Sequence, residues 1–352
     1  RRCAPSPGRS GARWKRYART VNVPSVPDEI VALADERAAA RARRDYRTAD
    51  ELKARVEAAG WKVVDFGVAY ELEPTRPPDV VEGERTLYGS VESVPSRLHE
   101  QPMTEASVIV ILDQAADATG CLEAIAAAAP GVAQVVVVHG PDTVPEGPFD
   151  DAVGMALPFG AGDALQAALR RTTGAVVVVL EPESIATGDV FTPLIEALAD
   201  PSVAIAAAEG LVSHDLHRYH PAEQGDVTTV ASGCYAFRRA DAIERGPIDG
   251  RLRLRGSVAA WLGLLLRDEG PDATPRRALA LDLPVRQAAE EGDLPEDHAR
   301  LARRDGYRLA DRFRDHAWLA GDEPPQGWVV GDRRDERDGG DEADESDHAE
   351  QA

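Results

Sequence analysis

Cysteine is scarce: Cys3, Cys121 and Cys234 are the only three in 352 residues, far apart, two of them among apolar neighbours. That spacing excludes a zinc-binding pattern and a disulfide framework, and makes a reducing compartment the default. Long hydrophobic runs are missing too. The stretch from Ala175 to Leu180 is among the longest and falls far short of a membrane span. A cytoplasmic protein without a membrane span is the expectation. No signal-peptide pattern is visible, and the chain opens on Arg1 and not Met, so targeting is not read from its ends. Aromatics make up 5% of residues, and Ala and Val dominate an apolar share of 43%, which is ordinary for a globular protein.

Positive charge is also in short supply. Against 61 acidic residues stand 40 basic ones, a formal charge of −21. Such a surface repels phosphate backbones over most of its area, so broad nucleic-acid binding is disfavoured. The charge is uneven. Residues 1–26 open as a basic arm, with Arg1, Arg2, Arg9, Arg13, Lys15, Arg16 and Arg19 and no acid among the first twenty positions. Residues 319–352 end in an acidic run that includes Asp332, Asp335, Glu336, Asp341, Asp344 and Glu350. Like-charge runs cannot bury apolar area, and both ends read as disordered.

Between the ends, residues 27–73 read as a helical hairpin with a short β-ribbon. Ile30, Leu33, Ala34 and Arg37 follow helical spacing, as do Tyr46, Ala49, Leu52 and Val56. Asp28 and Asp45 stand where caps belong, and Gly60 stands where a left-handed residue closes a helix. Residues 74–104, with Pro74, Pro77, Pro78, Pro95 and Pro102, show no periodicity and read as a linker. From Ser107 the pattern alternates buried strands with helices, which predicts an α/β domain over 105–318 with a mainly parallel sheet flanked by helices. Strands near 107–112, 134–138 and 176–180 should be neighbours, with ligands beyond the C-terminal strand ends.

The run FGAGDALQAALRRTTGAVVVVLEPES, from Phe159 to Ser184, carries a glycine-containing turn, a helix, a buried strand and two acids one residue apart. It resembles the segment of family-2 glycosyltransferases, enzymes of GT-A fold, in which a strand ends in an Asp-x-Asp motif. The resemblance implies a nucleotide-sugar donor, and a Mg²⁺ or Mn²⁺ ion held by Glu181 and Glu183 against the donor diphosphate. It also implies donor-nucleotide contacts at strand ends, here Asp113 and His139. Ser232 to Asp241, with Phe237-Arg238-Arg239, resembles the family's stretch beneath the acceptor site, placing Ser232, Gly233 and, on the following helix, Trp261 on the acceptor side.

The sequence departs from the family at its chemistry. Glu replaces Asp, Pro182 separates the acids, and Val258, Ala259 and Ala260 stand where the family carries its base. None of the three accepts a proton, so the implied enzyme is catalytically impaired, and its catalytic residues and acceptor are unassigned. Asp297 to Arg308 resembles a basic helix closing some bacterial members. His214, His217 and His220 are clustered, without the helical apolar pattern a helical metal site needs.

The hairpin, through Leu33-Ala34-Asp35-Glu36-Arg37, Ala42-Arg43, Asp45-Tyr46, Ala49-Asp50-Glu51-Leu52, Gly60 and Asp65, resembles the small C-terminal domain of bacterial cysteinyl-tRNA synthetases. The synthetase's catalytic signatures are missing. Two alternatives therefore stand beside the glycosyltransferase reading. One is a non-catalytic module on a GT-A-like scaffold that binds a protein partner through residues 27–73. The other is an RNA-associated protein that uses the hairpin and basic arm. The charge of the ends makes its own prediction: residues 1–20 and 325–352 should show no slowed amide exchange, since one-sided charge cannot offset ordering entropy. Protected amides in either segment would overturn it.

Overall fold

The computed structural model describes residues 26–321 apart from 67–68, 76–77, 84, 113–117, 129–132, 157–158, 223 and 288–297. The basic arm before residue 26, the acidic end after residue 321 and Asp113 lie outside the described residues.

The chain begins with helices α1 (Asp28–Ala42) and α2 (Tyr46–Ala58), followed by the antiparallel ribbon β1 (Trp61–Phe66) and β2 (Ala69–Pro74). Asp45 caps α2 by accepting from the Thr48 N–H at 3.2 Å, and Gly60 closes it at φ 83°. Asp28 is not a cap. Pro27 holds that position, and Asp28 opens the first turn, where its charge still suits the helix dipole. Ile30, Ala34, Val56, Trp61, Val63 and Leu72 form a core of their own. Beside it Arg37, only 4% exposed, grips Asp65 with two parallel hydrogen bonds of 2.8 Å. Arg41 reaches the same carboxylate at 3.0 Å.

Next come β3 (Val80–Glu82) and β4 (Arg85–Tyr88), inside the stretch that composition presents as linker. They add to the edge of the main sheet, β4 pairing parallel with a later strand through Leu87. Segments of three and four residues are too short for a periodic signal; the long-range pairing makes them strands.

The α/β part runs β5 (Thr104–Leu112), α3 (Thr119–Ala128), β6 (Ala133–His139), β7 (Asp151–Met155), α4 (Ala161–Leu169), β8 (Gly174–Leu180), β9 (Ser184–Ala186), α5 (Phe191–Ala199) and β10 (Val203–Ala207). Short strands β11 (Gly210–Val212), β12 (His220–Ala222), β13 (Gly225–Val227) and β14 (Thr229–Val230) lead to β15 (Cys234–Arg238). Helices α6 (Arg239–Arg245) and α7 (Arg255–Arg267), strands β16 (Arg277–Ala280) and β17 (Val285–Gln287), and helix α8 (His298–Arg312) complete it.

The main sheet is ten-stranded, in the order β13-β16-β10-β15-β8-β5-β6-β7-β4-β3. From β8 to β4 every pairing is parallel, while β15 lies antiparallel between β8 and β10. The three strands expected to be neighbours are adjacent, with β5 between β6 and β8. Alternate residues of β5 serve opposite layers: Ile109 and Ile111 pack in one core with α4 and α7, Val108, Val110 and Leu112 in another with α3 and α5. A strand buried on both faces needs apolar residues at every position, which is why its run is continuous.

Near the N-terminal ends of β5, β6 and β8 a buried polar cluster ties them. Ser107 Oγ donates to Gln134 Oε1 at 2.8 Å and accepts from the Gly174 N–H at 2.7 Å. Gly174 itself is packed against β5, and a Cβ there would lie 2.2 Å from the Ala106 carbonyl carbon.

The hairpin yields a prediction. The Arg37 hydrogen bonds are the chief cause holding the Asp65 carboxyl below its ordinary range. A depressed folded-state pKa adds stability above the unfolded value near 4, and that stability is lost as pH falls through the folded value. Arg37→Ala should therefore cost about 1–3 kcal/mol, read as roughly tenfold to hundredfold faster amide exchange in α1 and α2 at neutral pH. The difference from wild type should shrink in acid; equal exchange at pH 7 would show that the pair does not hold the hairpin.

Candidate functional site

The chain passes from β5 outward through β6 and β7, then returns to place β8 on the other side of β5. In an open sheet such a reversal leaves a crevice beyond the C-terminal strand ends. Glu181 follows β8 directly at this edge. Its N–H donates to the Gly233 carbonyl at 2.9 Å, continuing the β8–β15 ladder one step beyond Leu180 and Cys234. Gly233, at φ 109°, makes the turn into β15, where a side chain would be strained. The Ser184 N–H donates to the Glu181 carbonyl at 2.9 Å, which closes Glu181, Pro182 and Glu183 into a tight turn. Both carboxylates sit on that turn.

Arg255 meets them from the first turn of α7. Its Nη1 lies 2.8 Å from Glu183 Oε2 and 4.0 Å from Glu181 Oε2. The three side chains are 20%, 33% and 17% exposed for Arg255, Glu183 and Glu181. Behind them is a cavity of about 10 Å³ lined by Ile111, Val179, Tyr235 and Val258 together with Glu181 and Arg255. That is room for a single water. Burial pushes the Tyr235 phenol far up, and the Glu181 carboxylate adds to this. Burial also drives the Cys121 thiol up to about 12, with a contribution from Glu183.

A divalent ion, as the resemblance implies, would need several oxygen ligands converging on one point. A guanidinium nitrogen already faces both carboxylates, bonded to Glu183 at 2.8 Å and 4.0 Å from Glu181. Among the described residues no group of three His, Cys, Asp or Glu side chains could hold a metal. As arranged, the pair does not fit a divalent ion.

The other residues read from the sequence fall into two sets. Gly233 and Ser232 are brought to the site, Gly233 by its bond to Glu181 and Ser232 by its place beside Gly256 in the first turn of α7. His139 ends β6 and is 3% exposed, its Nδ1 2.8 Å from the Gly140 carbonyl, and burial lowers its pKa. Trp261 lies further along α7, buried, and packs edge-on against Phe313 with ring centres 5.4 Å apart. Val258, Ala259 and Ala260 are all buried in α7, and Val258 is the one that lines the cavity. The acids that flank α7 in sequence are engaged elsewhere: Asp249 is paired with Arg251 and Arg308, and Asp268 accepts from the Trp318 indole. The sequence reading missed Arg255 altogether. Its hydrogen-bond partner Glu183 lies 72 residues away, and no local pattern reports a contact of that kind.

Asp305 holds this corner in place. It is wholly buried on α8, and its Oδ2 accepts the N–H groups of Arg253 at 2.8 Å and Leu254 at 2.9 Å, the two residues before Arg255.

No protein-family profile matches the chain. Over 62 residues it is 42% identical to a cysteine–tRNA ligase of Opitutus terrae, a match covering 18% of this chain and 14% of the ligase. Among solved structures, GalNAc-T7 with UDP, GalNAc and Mn²⁺ is similar at TM-score 0.47 and 12% identity, covering 62% of this chain and 49% of that one. The mannosyltransferase PcManGT of Pyrobaculum calidifontis with GDP-Man and Mn²⁺ gives TM-score 0.39 and 19% identity, over 66% and 69%. Staphylococcus aureus TarS gives 0.41 and 13%, over 59% and 40%. Likenesses of this size carry no conclusion about substrate or activity.

Removing the Asp305 acceptor should loosen the corner. Asp305→Ala is expected to lower stability to urea by about 1–3 kcal/mol, because two partly buried N–H groups lose their partner. Asp305→Asn, which keeps an acceptor oxygen, should cost less. Equal losses in the two variants would show that the acceptor is not what matters.

Proposed function

We propose that the chain is a glycosyltransferase-like protein that binds a nucleotide-activated sugar at the C-terminal edge of its sheet and transfers it poorly or not at all. The observation that carries this reading is the site itself: two carboxylates on the turn after β8, tied to the glycine that opens β15, at the reversal of a doubly wound sheet. A guanidinium has five N–H donors and matches phosphate geometry, so Arg255 supplies the kind of group a diphosphate needs. The weak transfer follows from the α7 side chain that lines the cavity, an apolar Val258 that cannot accept a proton.

A second reading has its own support. The cavity is small and the carboxylates already have a counter-charge, as suits a scaffold whose binding is done elsewhere. The hairpin of residues 27–73, with its separate core, is then the surface for a protein partner. RNA is the lesser candidate for such a partner, given a net charge of −21. No helix among the described residues is long and apolar enough to cross a membrane.

Calorimetric titration with UDP, GDP and their sugar conjugates separates the readings. Binding of at least one is expected, with turnover about a hundredfold to ten-thousandfold below that of an enzyme with a base, the usual contribution of general-base catalysis. If none of these ligands binds, with or without Mg²⁺ or Mn²⁺, the donor-site reading fails and the scaffold reading stands.

A further inference from the structure

We infer that Arg255 is the resident cation of this site: the carboxylate pair takes a guanidinium where a divalent metal ion would otherwise sit. The inference deepens the donor-site reading, because it names the positive charge a bound diphosphate would meet.

Three observations carry it. First, the same nitrogen, Nη1, lies within 4.0 Å of both carboxylates. It hydrogen-bonds Glu183 and stands at ion-pair range from Glu181, so one cation faces both carboxylates. Second, Arg255 stands in the first turn of α7, the positive end of the helix dipole, where a cation is disfavoured by about 0.3–1 kcal/mol. No side chain caps that helix end, and its first turn has no acid. Glu181 and Glu183 supply the compensating charge from the neighbouring strand end. Third, the position is fixed from behind. Asp305 pins Arg253 and Leu254 through their N–H groups, so the helix starts where Arg255 reaches the turn after β8.

The chemistry follows from charge. Two glutamates without Arg255 form a site of charge −2 that is open to a hard divalent cation. With Arg255 in place part of that charge is offset, and an entering ion would have to displace a hydrogen-bonded guanidinium. The site should thus ignore Mg²⁺ and Mn²⁺, and any nucleoside diphosphate it takes should bind equally well in EDTA.

The test uses Mn²⁺ alone, followed by electron paramagnetic resonance on the full chain, so it does not depend on whether a nucleotide binds. With 61 acidic residues the protein will hold Mn²⁺ loosely in many places, so the readout is the part that Glu181 and Glu183 account for. Wild type and Glu181→Gln/Glu183→Gln should bind the same amount. Arg255→Met should gain about one Mn²⁺ per chain, and the triple variant with both glutamates changed should lose it again. Arg255→Lys, which keeps the charge, should resemble wild type. Should Arg255→Met fail to fold, as judged by circular dichroism, Arg255→Gln removes the charge while retaining a donor for Glu183. Glutamate-dependent Mn²⁺ in the wild type would overturn the inference. So would a folded, charge-free variant at Arg255 that gains none. A chain that binds no nucleotide but shows the expected Mn²⁺ pattern would defeat only the donor-site reading.

Discussion

The antiparallel seating of β15 against β8 is the interaction on which the site depends. Cys234 opposite Leu180 sets the register, and the next rung, Glu181 N–H to the Gly233 carbonyl, extends the pairing past the last residue of β8 and the first of β15. A strand slipped by one residue would turn each side chain to the other face of the sheet. Here the register is over-determined, because Tyr235 and Phe237 must enter one core while Cys234 and Ala236 enter the other. The apolar pattern of β15 thus decides where Glu181 ends up. Chemistry at the edge is a consequence of packing in the middle.

The same dependence runs through α7. Nine consecutive residues, Val258 to Leu266, are buried, so this helix has no free rotation about its axis and no solvent face along that stretch. Gly263 is part of the reason: a Cβ there would lie 2.2 Å from the Thr229 hydroxyl. A helix so constrained delivers its first turn to one place. Arg255 reaches the glutamates because the rest of α7 cannot go elsewhere, and Asp305 settles the last two residues of the approach.

Much of this was legible in the residues. Continuous apolar runs marked β5, β6 and β8 as strands buried on both faces, and they are neighbours in the sheet. Asp45 and Gly60 bounded α2 through local chemistry that leaves a local signal. What could not be read shares one property, a partner far away in the chain. β3 and β4 are strands only because the sheet edge receives them. His139 had the look of a strand-end ligand, yet β7 covers it, and a Cβ on Gly154 would lie 3.1 Å from its ring. Trp261, read as acceptor-side by resemblance, is buried and turned toward Phe313, a partner far along the chain. Residue type alone does not tell a buried indole from an exposed one.

Glu181-Pro182-Glu183 illustrates how spacing and environment part company. Two acids one residue apart on a turn after a buried strand are the right groups for a divalent ion, and the resemblance to a known motif rests on that spacing. Their state depends on what faces them. Across the crevice stand an arginine at a helix start and, three residues on, a valine. The first gives the pair a counter-charge; the second puts an apolar side chain, unable to take a proton, into the cavity wall. Both lie on the same face of α7 within one turn. An aspartate in place of Val258 would sit in a cavity with room for one water, lined also by Glu181, and its charged form would be opposed by desolvation and by like charge. The cavity as built is fitted to a neutral side chain. The Glu–Arg contact and the apolar helix face are therefore one arrangement, and reversing either alone would leave the other in conflict with it.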